Sequence, residues 1–143
     1  MSDEWALEFL TTYLRFPTVH PDPDYGPCVE FLVNKGIEAG LSVKVVNVAE
    51  RKPVVLMTKE GTNANLPAIL LNSHMDVVPV TEEKWGHDPF GAHCDDKGNI
   101  FARGSQDMKS VGVAQLASLF RLIQRNHSFN RTVHLTFVPG RKN

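Results

Sequence analysis

The sequence predicts an α/β fold: a three-layer sandwich whose sheet is mixed and mostly parallel. Three observations carry that expectation. Runs of β-branched residues alternate along the chain with stretches of helical periodicity. One run, "PAILLNS", is apolar on both faces, as a central strand covered by helices would be. A chain of 143 residues, 42% of them apolar, is long enough to bury one core of ordinary size.

The elements follow in order. Residues Ser2 to Leu14 predict a helix, with Ser2 as N-cap and an apolar face of Trp5, Leu7, Phe9, Leu10 and Leu14. "RFPTVHPDPDYGP" then carries four prolines in thirteen residues and predicts an extended loop. A second helix is expected from Cys28 to Ala39, with Val29, Leu32, Val33 and Ile37 on its face and Gly40 just past its end. "LSVKVVNVA" and "PVVLMTKEG" predict two neighbouring strands, and "PAILLNS" the central one. A turn-rich segment follows, with a short strand near Ile100 and Phe101. From Asp107 to Arg125 a long helix is expected. It places Val113, Leu116, Ala117, Phe120 and Ile123 inward, and Ser118, Arg121 and Arg125 outward. "TVHLTFVP" alternates Val133, Leu135 and Phe137 with polar residues and predicts a last strand.

Composition narrows the function. A net charge of −1 with scattered Lys and Arg argues against nucleic acid or an anionic membrane as a main partner. The N-terminus lacks a signal peptide's basic and apolar regions, and no stretch is apolar for the length of a membrane span. The two cysteines, Cys28 and Cys94, then read as free thiols, and the expected location is the cytosol.

The chemistry concentrates in "LLNSHMDVVPV". Ligands of open α/β sheets gather beyond the carboxyl ends of strands. His74 and Asp76 sit at such an end, and strand alternation puts both on one face with Met75 on the other. A carboxylate beside an imidazole fixes its tautomer and raises its basicity as a metal ligand. Asp107 opens the last helix, where the dipole favours the ionised carboxylate that binds a cation. Taken singly, an H-x-D strand end or an aspartate at a helix start is ordinary structural chemistry. Together they present histidine and carboxylate ligands from two elements to one crevice, a donor set that suits zinc. Arg103 and Lys109 fit either surface charges or neutralisers of these carboxylates. His87 and His134 read as packing residues, and His20, His93 and His127 as turn residues without a role. There is no phosphate-binding glycine loop and no G-x-S-x-G elbow.

The blocks "ILLNSHMDVVPV", "KWGHDPFGAH", "GNIFARGSQDMKS" and "RTVHLTFVP" resemble the zinc amidohydrolase and exopeptidase family of aminoacylases, acetylornithine deacetylases and related carboxypeptidases, its aminoacylase branch above all. The resemblance runs over nearly the whole chain. It implies hydrolysis of N-acyl-L-amino acids to a carboxylate and a free amino acid, with two Zn2+ ions per complete site. It implies His74 and Asp107 as metal ligands, Asp107 bridging the two ions, and Asp76 as the catalytic aspartate that orients His74 and assists the base. Small-molecule substrates and a homodimeric complete protein come with it.

One departure stands out. The family continues after this last strand with two consecutive glutamates, a general base and a zinc ligand, whereas here "TFVP" is followed by Gly140, Arg141, Lys142 and Asn143, and no glutamate follows Glu83. The expectation is that residues 1–143 form the N-terminal portion of the catalytic domain, without the dimerisation or lid domain. The alternative to an active hydrolase is a catalytically inactive fragment.

Overall fold

The computed structural model describes residues 3–140, and every statement below concerns those residues. Helix α1 (Asp3–Leu14) opens with Asp3 and Glu4, whose charges suit the positive end of the helix dipole. It buries Phe9, Tyr13 and Leu14. The Ser2 cap lies outside the described residues.

Helix α2 (Gly26–Glu38) begins with Pro27 in its first turn and stops where Gly40 takes φ +77°. Its buried line is Cys28, Leu32 and Gly36, one residue in four. Val29 and Val33 flank the core, while Ile37 is 60% exposed, so the inward face is rotated from the expected one. Gly36 is the reason. A Cβ there would lie 2.7 Å from Val43, so the helix meets the sheet through a residue that an apolar count ignores.

Strands β1 (Ser42–Ala49), β2 (Lys52–Lys59), β3 (Ile69–His74) and β6 (Val133–Val138) form one mixed sheet in the order β1-β2-β6-β3. β1 pairs antiparallel with β2, β2 antiparallel with β6, and β6 parallel with β3. The parallel pair is joined through helix α3 (Lys109–Gln124). Strands β4 (His93–Cys94) and β5 (Ile100–Phe101) make a separate two-stranded hairpin.

"PAILLNS" was expected at the centre of the sheet. Among the described residues it is an edge, paired only with β6, and Ile69 and Leu70 are 46% and 64% exposed. All three helices pack on one face of the sheet, in a single cluster with Val55, Met57, Leu71, Leu135 and Phe137. Among the described residues, that cluster makes two layers.

α3 begins at Lys109, so Asp107 lies in the turn before the helix rather than on it. Its face is otherwise as expected: Val113, Leu116 and Ala117 are buried, and Ser118, Arg121 and Arg125 are exposed. Lys109 is no surface charge. It is fully buried, and its ammonium donates to the carbonyls of Tyr13 (3.0 Å) and Phe16 (2.8 Å). Burial pushes that ammonium down to about 8.

Candidate metal centre

The strand β3 stops at His74, and Met75 turns into the core, its N–H donating to Val138 O at 2.8 Å. The residues on either side, His74 and Asp76, are thereby aimed away from the core toward a cleft. The opposite wall is the turn before α3. Gly104 takes φ +93° there and sits so close to Val77 that a Cβ would come within 2.8 Å of it. Its carbonyl accepts from the N–H of Lys109 at 3.0 Å, and the buried Lys109 side chain ties this end of the turn to α1. The turn delivers Asp107 to the mouth of the cleft, opposite His74.

The outcome is a cleft of about 240 Å3 with His74, Asp76, Trp85, Arg103 and Asp107 in its walls. Arg103 lies over the Trp85 ring, 5.2 Å from its centre. His74 Nε2 faces Asp107 Oδ1 at 3.0 Å. His74 Nδ1 lies 2.9 Å from the backbone oxygen of Asp76 and 3.4 Å from its carboxylate Oδ1. The Asp107 carboxylate is 81% exposed and that of Asp76 only 11%. One aspartate is open to a ligand, and the other backs the imidazole.

This donor set has a definite chemical demand. Acceptor oxygens face both ring nitrogens of His74, and a neutral imidazole can donate to only one of them. With the proton on Nδ1, a nitrogen lone pair and a carboxylate oxygen face each other, and a second ring proton or a metal cation between them would satisfy both. Imidazole nitrogen with carboxylate oxygen suits zinc. Ligand distances of about 2.0–2.2 Å place two tetrahedral donors about 3.3 Å apart, close to the spacing here. Two donors are still too few, since catalytic zinc has three protein ligands. No group of three or more His, Cys, Asp and Glu suited to a metal exists among the described residues.

The structure therefore brings His74, Asp76 and Asp107 together. It keeps the other histidines apart, with one exception. His87 stacks on His93 with ring centres 3.9 Å apart, and His134 Nδ1 bonds Thr58 Oγ1 at 2.9 Å on the outer face of the sheet. The exception is His20, which carried no expected role. Its Nε2 is hydrogen-bonded to Asp76 Oδ2. Sequence spacing holds no signal for a contact across 56 residues. Both cysteines are free, and burial pushes the Cys28 thiol up to about 12.

The family model described as peptidase family M20/M25/M40 matches residues 70–140. Aminoacylase-1 of Mus musculus is 48% identical over 138 residues, 96% of this chain and 34% of that protein. Aminoacylase-1 of Homo sapiens is 50% identical over 134 residues, 94% of this chain and 33% of that protein. The chain thus spans about a third of the length of the curated relatives it matches. Among solved structures, the M20 family metallo-carboxypeptidase Sso-CP2 from Sulfolobus solfataricus superposes with a TM-score of 0.80 at 23% identity, covering 96% of this chain and 30% of that one. The di-peptidase Dug1p from Saccharomyces cerevisiae gives 0.79 at 20% identity, covering 96% and 32%. These two likenesses concern the fold.

Proposed function

We propose that this chain, a relative of the aminoacylase-1 proteins that matches peptidase family M20/M25/M40 over residues 70–140, supplies one part of a zinc-dependent centre for hydrolysing N-acyl-L-amino acids. The products are a carboxylate and a free L-amino acid. The observation that carries this reading is the convergence of His74 Nε2 and Asp107 Oδ1 at 3.0 Å, from two elements, over a cleft backed by Asp76.

His74 and Asp107 would hold zinc, and in a complete centre Asp107 would bridge two ions. Bound zinc would supply Lewis acidity, polarising the amide carbonyl. The backbone oxygen of Asp76, 2.9 Å from Nδ1, would keep a proton on that nitrogen, so that Nε2 is free to ligate, and the Asp76 carboxylate would add its charge behind the ring. In a complete centre Asp76 would also assist the base. Residues 1–143 are read as the first portion of the catalytic domain, working in the cytosol, with a homodimeric whole protein.

A second reading concerns the 143-residue chain by itself. It has no glutamate after Glu83 and, among the described residues, no third donor beside His74 and Asp107. Without a positioned base it forgoes the roughly 10²–10⁴-fold that general acid–base catalysis contributes. The isolated chain is therefore inactive and holds fewer than two zincs. The test is to purify it, assay N-acetyl-methionine hydrolysis and count zinc by elemental analysis. No turnover and fewer than two zincs per chain are expected. Turnover, or two zincs per chain, would overturn this second reading.

A further inference from the structure

The contact between His20 and Asp76 is built by three separate segments. Residues 18–20 run beside residues 75–77. Thr18 Oγ1 donates to Met75 O (2.6 Å), Val77 N donates to Thr18 O (2.8 Å), and His20 N donates to Val77 O (3.1 Å). Thr18, Met75 and Val77 are buried, and His20 is partly exposed. The third segment is the end of β6. Gly140 N donates to the Tyr25 hydroxyl at 2.9 Å, and Gly140 O accepts from the buried Lys52 ammonium at 2.8 Å. Gly140 then lies flat on the pair. A Cβ there would come within 2.7 Å of Asp76 Oδ2 and would overlap the His20 ring.

Asp76 needs this support. Its Oδ1 is buried, has no hydrogen bond, and looks from 3.4 Å at His74 Nδ1, whose own hydrogen bond goes to the Asp76 backbone oxygen at 2.9 Å. Its Oδ2 is the atom that His20 holds. The tie at Oδ2, with Gly140 packed over it, restrains rotation of the carboxylate and favours the orientation in which Oδ1 faces the imidazole. Release of the tie would let the group rotate to satisfy itself elsewhere, and His74 would lose its carboxylate backing.

We propose that His20 is a positioning residue for the metal centre: it pins Asp76 so that Oδ1 faces His74, and Gly140 is glycine because a side chain there would push His20 off Asp76. The proposal rests on the reading of His74 and Asp107 as zinc ligands. Groups bonded directly to a ligand typically change metal affinity about 10–100-fold, and His20, which acts through Asp76, should reach at most that range.

The test uses the 143-residue chain in four forms beside the wild type: His20→Ala, His20→Gln, Gly140→Ala and His74→Ala. Imidazole ¹⁵N spectra of the metal-free proteins report the His74 ring directly. Zinc titration against a chelating indicator reports affinity, and backbone amide spectra confirm that each variant is folded. His20→Ala and Gly140→Ala should shift the His74 ring nitrogens and weaken zinc by up to about 10–100-fold. His20→Gln retains an N–H donor and should restore most of both. A His74 spectrum unchanged in folded His20→Ala would overturn the proposal, whatever the zinc result. If His20→Ala weakens zinc but His74→Ala does not, the ligand reading fails instead. A shifted His74 ring would then still uphold the pinning of Asp76.

Discussion

His74, Asp76 and Asp107 were legible in the sequence because chemistry and spacing coincide. Alternation along a strand puts two of them on one face, and the approach to a helix offers the third. What lay beyond reach were the residues that hold them. His20 meets Asp76 through the chain's tertiary path, and Lys109 is buried because two backbone carbonyls of α1 and its exit, Tyr13 O and Phe16 O, await its ammonium. Carbonyls carry no sequence signature. The two thiols differ for the same reason, since burial decides them. Cys28 is 1% exposed and Cys94 is exposed. One thiol per native chain should react with a disulfide reagent at pH 8, and two after denaturation; two in the native chain would contradict the burial of Cys28. The sign of its pH effect follows. Burial raises the folded-state thiol to about 12 from an ordinary 9.0. The unfolded chain therefore loses its proton first, and this site lowers stability as pH rises from about 9 toward 12, with no effect below that window.

At the scale of elements, periodicity located all three helices and the four strands of the main sheet but not β4, and in α2 it misjudged the face where glycine makes the contact. In α2 the sheet is met at Gly36, so Ile37 was assigned inward and is exposed. In α3 a glycine also makes the close contact, although the apolar face there is as expected: at Gly112 a Cβ would lie 2.6 Å from both the Phe137 ring and Ser73 Oγ. Two effects compete in Gly112→Ala. Helix propensity favours alanine by about 1 kcal/mol. Overpacking against a buried ring and a buried hydroxyl costs about 1–3 kcal/mol. The crowding involves core atoms that cannot swing into solvent, so it prevails, and the variant should melt below the wild type in a thermal scan. A raised melting temperature would show that α3 has room to shift from the sheet.

At the scale of the whole molecule, the sequence conveyed the α/β class and the mixed sheet but not the place of β3. A run apolar on both faces says that a strand expects cover, not that the described residues provide it. β3 is an edge with Leu70 64% exposed, beside an apolar groove of about 530 Å3 that includes Ile69, Leu71, Val111, Leu122 and Phe129. Unpaired strand edges beside apolar surface template association. The isolated chain should therefore associate with rising concentration in light scattering, and Leu70→Lys should reduce this without lowering the melting temperature. Equal association of the two would place the sticky surface elsewhere.

One cleft joins the end of β3 to the turn before α3, and in the proposed centre His74 from one wall and Asp107 from the other would share one metal. The direct measurement is a zinc-binding isotherm of the 143-residue chain beside His74→Ala and Asp107→Asn, each shown folded by circular dichroism. The account predicts one weak site in the wild type, lost in both variants. Zinc bound equally by all three proteins would contradict it.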